Sequence, residues 1–254
     1  MNCLEKMLIG QTAKPLICTP VVGETQEKIM AQLAQILEKK PDIIEWRADF
    51  FEQIASTDAV VDVIEKIRKA VGDIPIIFTI RSSREGGQPI SLQDAAAIEL
   101  NAEVCRKTSV EYIDCELSND PEHIRYLRGI ATEYGKKIIG SFHNFTLTPG
   151  PEELARKFDQ AAQYQLDVAK VAVMPQKLED VLSLLSATLA AKQRLNIPLI
   201  TMSMGKYGAI SRMIGGVFGS SLTFAVGAKS SAPGQVPIAD LRTALDIIDR
   251  SMGE

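Results

Sequence analysis

The feature that most restricts the fold of this chain is a regular alternation of two kinds of segment. Eight short runs rich in β-branched and other apolar residues recur along its 254 residues. They are "PLICTPVVG" (15–23), "DIIEWRADF" (42–50), "IPIIFTIRS" (74–82), "VEYIDCEL" (110–117), "KKIIGSFHNF" (136–145), "DVAKVAVMP" (167–175), "IPLITMSMG" (197–205) and "LTFAVGA" (222–228). Between them lie longer segments in which apolar residues return at helical spacing. Parallel neighbours in a sheet need crossover connections, so strict strand–helix alternation implies a parallel sheet. Eight such units in about 250 residues match a (β/α)8 TIM barrel. A doubly wound open sheet is the alternative, but no G-x-G-x-x-G follows the first strand. No linker, low-complexity segment or charge block marks a second domain, so 1–254 reads as one domain. Residues 1–14 form an N-terminal extension, expected as a short hairpin closing the barrel floor.

The helical segments carry their own signals. "TQEKIMAQLAQILEKK" puts Ile29, Leu33, Ile36 and Leu37 on one face, and "TDAVVDVIEKIRKA" does the same with Val60, Val63, Ile64 and Ile67. Ser91 is the expected N-cap of "SLQDAAAIELNAEVCRK". Asp120 is the cap of the next helix, with Pro121 at its first position and Gly135 at its end. Three further helices follow, opening at "GPEEL", "KLEDV" and "PIADL".

A net charge of −4 argues against nucleic acid or an anionic membrane as the main partner. No apolar run reaches the ~20 residues that span a bilayer. The N-terminus lacks a signal-peptide pattern, so a cytoplasmic location is expected. Cys3, Cys18, Cys105 and Cys115 are scattered, without CxxC pairs, and with only two histidines no metal-binding spacing emerges. They read as reduced and structural.

Functional residues of such barrels sit at the C-terminal ends of the strands and in the loops beyond them. The unusual polar residues fall there. Glu45 and Arg47 end the second strand, two apart and therefore on one face. Arg81 ends the third, and its loop carries Glu85. His143 ends the fifth, and Met202 and Met204 end the seventh. Arg212 belongs to the loop after the seventh strand; Ser231 and Gln235 belong to the loop after the eighth. Lys170 interrupts the apolar run "VAKVAVMP" (168–175). Lysine is seldom buried without a partner, so Lys170 either snorkels to water or is a reactive amine. If it faces inward, so do Val168, Ala172 and Met174, while Ala169, Val171 and Val173 face the helices. Each polar residue has a plain structural alternative: an exposed ion pair for Glu45 and Arg47, a solvated loop around Arg81, a structural histidine at 143. Gly215–Gly216 is either part of a phosphate-binding turn or a site of close backbone packing. Taken together, so many charges converging on one barrel mouth without use would be costly. Arginines suit an anionic or hydroxyl-rich small substrate.

The pieces "IIEWRADF", "FTIRSSREGG", "IDCEL", "SFHNF", "VAKVAVMP", "TMSMGKYGAISRMIGGVFGSSLTFA" and "SAPGQVPIADLR" run in order from about residue 15 to the C-terminus. On them the chain closely resembles the type I 3-dehydroquinate dehydratases, the Schiff-base hydro-lyases of the shikimate pathway to chorismate and the aromatic amino acids. The resemblance implies a lysine at 170 that forms an imine with the C3 ketone of 3-dehydroquinate. It implies that His143 is the general acid/base and that Glu85 supports it. Glu45, Arg47, Arg81, Arg212, Ser231 and Gln235 match the residues that hold substrate, and "SSAPGQVP" matches a loop that closes over the site. The family is usually a homodimer and needs no cofactor and no metal. One departure stands out: some members carry a substrate-contacting serine near the end of strand one, where this chain has Thr19 and Pro20. Proline has no N–H to donate.

The chemistry explains the residue types. Water leaves across C1–C2 of a ring ketone, and a protonated imine is a better electron sink than the neutral ketone. An imidazole suits proton transfer near neutral pH. A class I Schiff-base aldolase-like barrel is the alternative enzyme. It would cleave a C–C bond, and its only trace here is Gly215–Gly216. A non-catalytic carboxylate-binding barrel would need no amine on the inner face of strand six.

Overall fold

A computed structural model describes residues 8–227 and 232–253. All eight expected strands form: β1 (Leu16–Val21), β2 (Ile43–Arg47), β3 (Ile76–Thr79), β4 (Tyr112–Glu116), β5 (Lys137–Asn144), β6 (Val168–Val173), β7 (Leu199–Ser203) and β8 (Leu222–Val226). Every pairing between them is parallel, and β1 joins β2 on one side and β8 on the other. The helices α1 (Gln26–Leu37), α2 (Thr57–Val71), α3 (Asp94–Lys107), α4 (Pro121–Glu133), α5 (Pro151–Gln163), α6 (Leu178–Arg194), α7 (Gly205–Ile214) and α8 (Ile238–Met252) alternate with them. The curled sheet is that of a TIM barrel.

The seam between β7 and β8 is the open one. A single bridge, Leu199 with Ser220, joins them at the bottom. Higher up a two-residue strand, β9 (Val236–Pro237), pairs with Ala225 and Val226 of β8. The Gly205 N–H, just past β7, donates to the Pro233 carbonyl at 3.2 Å. The segment from Pro233 to Pro237 therefore spans the seam at the C-terminal end of the barrel.

Strand alternation sorts side chains into two cores. Trp46, Phe78, Ile113, Ala169, Val171 and Val173 point outward and pack with Ile29, Leu33, Val60, Ile64 and Phe158 from the helices. Leu16, Ile43, Ile77, Tyr112, Ile139, Val168, Ile200 and Leu222 point inward and fill the lower barrel. Ala172 belongs to this inner cluster and Met174 packs against it, as the period-two reading of "VAKVAVMP" requires. Thr19 lies between inward-pointing Cys18 and Pro20, so its own parity is outward, away from the barrel axis. The inward position at the end of β1 belongs to a proline.

Residues 8–14 adopt turns and bends rather than strand, and the rest of the expected hairpin lies outside the described residues. The floor is closed all the same. Ile9 is buried in the inner cluster, and its N–H donates to the Tyr112 hydroxyl at 2.9 Å.

Two expectations about the helices are corrected, the cap of α3 and the placing of Arg212. The N-cap of α3 is Gln93, not Ser91; Ser91 lies in a bend two residues before the cap, and Asp94, the first helical residue, pairs with Arg84 at 3.1 Å. Asp120 does cap α4, accepting from the Glu122 N–H at 2.7 Å, with Pro121 at the first turn. Arg212 sits not in a loop but on α7. That helix buries Gly208, Ser211 and Arg212, so it has no large apolar stripe to reveal it. A Cβ at Gly208 would lie 2.3 Å from the Ser203 backbone, so glycine permits this close approach of helix to strand. Among the described residues no helix is long and apolar enough to cross a membrane.

Candidate active site

Above the apolar floor the inward positions become polar: Glu45 and Arg47 on β2, Thr79 and Arg81 at β3, Asp114 and Glu116 on β4, Ser141 and His143 on β5, and Lys170 on β6. All but His143 are buried. Each is the inward residue two or four places beyond a floor residue of the same strand, such as Ile77, Thr79 and Arg81. They underlie a cavity at the C-terminal end of the barrel. Glu45, Arg47, Arg81, Glu85, His143, Lys170, Arg212 and Gln235 all line it, with Phe145, Met202, Met204 and Phe224 as apolar walls. Of the residues singled out from sequence, Ser231 and, away from the site, Cys3 fall outside the described residues.

Lys170 does not snorkel. Its Nζ lies 3.1 Å from Asp114 Oδ2 and 3.5 Å from Glu45 Oε1, and 4.8 Å from the centroid of the Phe224 ring. The two carboxylates are themselves held. Thr79 Oγ1 donates to Glu45 at 3.0 Å. Ser141 Oγ donates to Asp114 Oδ1 at 2.6 Å, and Arg81 Nη2 pairs with the same oxygen at 2.8 Å. Burial alone raises a carboxyl pKa, but Arg81 and Lys170 outweigh it and lower Asp114 to about 2.

Arg81 is the hub behind the amine. Besides Asp114 it pairs with Glu116 Oε1 at 3.0 Å and approaches Glu85 at 3.7 Å. Burial disfavours its charge, yet the carboxylates of Asp114, Glu116, Glu85 and Glu45 raise its pKa above the ordinary guanidinium value. Glu116 also accepts from the Ser82 N–H and hydroxyl, which fixes the start of the β3 loop. Arg47 forms a bidentate pair with Asp49, both contacts 2.8 Å. Asp49 further accepts from the Gln88 N–H at 3.1 Å, so β2 and the β3 loop are tied together.

His143 and Glu85 form the second functional pair. The imidazole Nδ1 is 2.9 Å from Glu85 Oε2, and the His143 backbone N–H donates to the same oxygen at 3.0 Å. The other oxygen accepts from Ser118 at 2.8 Å. This leaves Nε2 as the ring nitrogen that Glu85 does not engage. Burial pushes Glu85 up to about 7 against the pull of Arg81. Burial, with Arg81, Lys170 and Arg47 nearby, holds His143 well below the ordinary imidazole value, so the ring is neutral at pH 7.

Arg212 differs from the other cations. Its guanidinium touches the Gly234 carbonyl at 2.9 Å, the Pro233 carbonyl at 3.1 Å and the Met202 sulphur at 3.6 Å, and no carboxylate pairs with it among the described residues. Burial alone lowers it to about 10, which still leaves it charged at neutral pH. A buried cation facing a pocket without its own counterion is a receptor for an anionic ligand. Gly234, at φ +76°, sits where a Cβ would meet the Gly205 carbonyl oxygen at 2.4 Å, so glycine lets the covering segment lie flat over the seam.

Sequence reasoning missed Asp114, Glu116, Ser141 and Asp49. For the first two the signal was present: in "YIDCE" both carboxylates share the inward parity of Tyr112. Gly215 and Gly216 belong to a one-turn 3₁₀ helix, and a Cβ on Gly216 would strike Pro15 at 2.4 Å. Pro15 precedes β1, so this packing is at the barrel floor, remote from the cavity. The closely packed alternative holds there, and the phosphate-turn alternative loses its support.

The sequence profile of the family described as "Type I 3-dehydroquinase" matches residues 17–252. A 3-dehydroquinate dehydratase of Albidiferax ferrireducens is 52% identical over 240 residues, covering 94% of this chain and 91% of that one. The crystal structure of the 3-dehydroquinate dehydratase of Geobacillus kaustophilus superposes with a TM-score of 0.94 at 47% identity, covering 96% of this chain and 94% of that one. The type I enzyme of Clostridium difficile, solved with covalently modified comenic acid, gives a TM-score of 0.92 at 36% identity, covering 96% of each chain. This chain belongs to the type I 3-dehydroquinase family.

Proposed function

We infer that this chain is a hydro-lyase that removes water from 3-dehydroquinate to give 3-dehydroshikimate through an imine on Lys170, with the whole of residues 1–254 acting as one catalytic domain. The observation that carries the reading is an amine and an imidazole, Lys170 and His143, both lining one cavity inside the barrel. The Lys170 ammonium passes a proton to His143, its Nζ attacks the C3 ketone, and His143 relays protons from the nitrogen to the carbonyl oxygen. A C–N bond forms, the carbonyl oxygen leaves as water, and a protonated imine results. His143 Nε2 takes the C2 proton, and the C–H electrons move toward the positive nitrogen to give an enamine. The enamine expels the C1 hydroxyl, which receives the proton from His143 and departs as water. A second water hydrolyses the imine, releasing product and restoring the ammonium. A neutral imidazole is the form that can begin this cycle. The low pKa that keeps it neutral also makes its conjugate acid a strong donor to the departing hydroxyl.

The remaining roles follow from charge and reach. Glu85 orients the His143 ring through Nδ1. Arg212 takes the substrate carboxylate, with Gln235 and Ser231 of the covering segment beside it. Glu45, Arg47 and Arg81 hold the ring hydroxyls. The amine supplies the electron sink, so the reading needs no cofactor and no metal. Thr19 and Pro20 contribute no polar contact to it.

We further propose a cytoplasmic homodimer. Leu178, Leu182 and Leu189 on α6 and Tyr207 and Ile210 on the adjoining α7 are large apolar residues left exposed, and a second copy would cover them. Sedimentation of the purified chain as a monomer at micromolar concentration would remove this part. The activity itself is tested by supplying 3-dehydroquinate and following the conjugated enone of the product in the ultraviolet. Enone formation at enzymatic rates supports the reading. No turnover of dehydroquinate, with cleavage of an aldol substrate instead, refutes it.

A further inference from the structure

The inward carboxylate at 114 has a position that the reading above does not use. Asp114 is buried, and its Oδ2 is the oxygen nearest the reacting nitrogen, at 3.1 Å. Glu45 is the other carboxylate on Nζ, but the two differ in what the substrate can reach. Glu45 lines the cavity, where a ring hydroxyl can reach it, and among the described residues its side-chain donor besides Lys170 is the Thr79 hydroxyl at 3.0 Å. Asp114 does not line it; it lies behind the amine, and a second cavity opens on its far side. Arg81 Nη2 at 2.8 Å and Ser141 Oγ at 2.6 Å pin its other oxygen. A substrate entering from the barrel mouth therefore displaces Glu45 from Nζ but leaves Asp114 in place.

We propose that Asp114 is a further catalytic residue, the fixed counterion that keeps the Lys170 imine protonated while the C2 proton leaves. The inference rests on the assignment of Lys170 as the imine-forming amine. Its physical basis is short. Condensation turns an ammonium with three N–H groups into an iminium with one. That single N–H⁺ keeps the positive charge but can face only one acceptor. An opposite charge within about 4 Å favours the charged form, and in a buried site the effect is screened little. A neutral imine would have to develop negative charge on nitrogen as C2 is deprotonated; the protonated one only loses its positive charge. Among the described residues, the groups that face this nitrogen are Asp114 from β4, Glu45 from β2, His143 from β5 and the Phe224 ring from β8. Arg81, Glu116, Glu85 and Arg47 stand one shell further out. Of these, Asp114 is the anion that is both in contact and out of the substrate's reach. Held by Arg81 and Ser141, it stays ionised and does not take the imine proton itself.

Asp114→Asn keeps the size and the Ser141 contact while removing the charge. The test is kcat, together with borohydride trapping of dehydroquinate on the enzyme by intact mass, from pH 6 to 9. Hydride adds to the protonated imine, so trapping reports that form. We expect kcat to fall about 100-fold or more at pH 7.5, a loss of the size seen when one preorganised charge-stabilising group is removed. Trapping in the variant should decline steeply relative to wild type as pH rises, and Asp114→Glu should recover part of kcat. Wild-type kcat and a wild-type trapping profile in Asp114→Asn overturn the proposal. Failure of the Lys170 assignment looks different: no adduct forms on Lys170 of the wild-type enzyme at all. If Asp114→Asn does not fold, the ¹⁵N shift of the wild-type imine on labelled lysine decides. A protonated imine up to pH 9 agrees with the proposal, and a neutral one at pH 7 contradicts it.

Discussion

Arg212→Ala removes the buried cation that has no acidic partner. Arg212 is 1% exposed, and neutral carbonyl oxygens and a sulphur occupy its N–H groups without cancelling its charge. A carboxylate about 4 Å away, at an effective dielectric near 20, is attracted by about 4 kcal/mol. Allowing about 1 kcal/mol for residual solvation of an open pocket, the pair is worth about 3 kcal/mol, or on the order of 100-fold in binding. The substrate carboxylate takes no part in bond making, so its attraction is the same in ground and transition states. The loss should therefore appear mainly in KM, with kcat changed much less. Part of the effect will come through the covering segment, because Arg212 also holds the carbonyls of Pro233 and Gly234. Arg212→Lys separates the two contributions: it keeps the charge, loses the fork, and should cost about tenfold. The assay is steady-state enone formation over a wide range of dehydroquinate concentration, with thermal melting to confirm folding. A kcat/KM for Arg212→Ala within about fivefold of wild type would show that the carboxylate binds elsewhere, and the electrostatic reasoning would fail.

Other perturbations separate chemistry from stability. His143→Ala should still form the Lys170 imine, slowly, but not turn it over; near-normal turnover removes the imidazole from the mechanism. Glu85 must be ionised to orient Nδ1–H, and with its pKa near 7 kcat/KM should fall about tenfold per pH unit on the acid side of 7. Glu85→Gln should lose that limb and about 10- to 100-fold of kcat; an unchanged acid limb assigns it to another group. Asp114, depressed to about 2 when folded, contributes stability that is present above its unfolded value near ~3.9 and is lost as pH falls from there toward 2. Acid unfolding of Asp114→Asn should lack this contribution, on the order of 2 kcal/mol, and a curve parallel to wild type below pH 4 argues against it. Gly216→Val should clash with Pro15 and lower stability by about 1–3 kcal/mol while leaving KM untouched; a raised KM would place that turn at the substrate site.

The repeating frame was legible because burial on both faces of each strand writes it as short apolar runs. The eight strands follow from that, and so do α1 and α2, whose stripes of Ile29, Leu33 and Ile36 and of Val60, Val63, Ile64 and Ile67 are buried as their spacing requires. Helix α7 was not legible. It meets β7 through glycine and serine, and its buried charged residue, Arg212, looks like a loop residue in sequence. β9 was hidden for a related reason: two residues carry no period, and the strand exists only because β7 and β8 part at the top. At the site, residues that break an apolar run were easily seen, as with Lys170 in "VAKVAVMP". Asp114 and Glu116 break the run "YIDCE" in the same way and were passed over, and Ser141, a small polar residue in "GSFHN", breaks no pattern; none of the three lines the cavity. Their importance comes from contacts across strands, Asp114 to Lys170 and Arg81 above all, and register between strands is not written in any one of them.

The central claim is that a buried lysine, paired with carboxylates at rest, becomes the nucleophile for the ring ketone. Its most direct test is incubation of the wild-type chain with 3-dehydroquinate, reduction with borohydride, and mass mapping of the digest. The account predicts one stable adduct, on Lys170 in the peptide containing "VAKVAVMP", and none in Lys170→Ala. An adduct on another lysine, or full dehydration activity in Lys170→Ala, would contradict it.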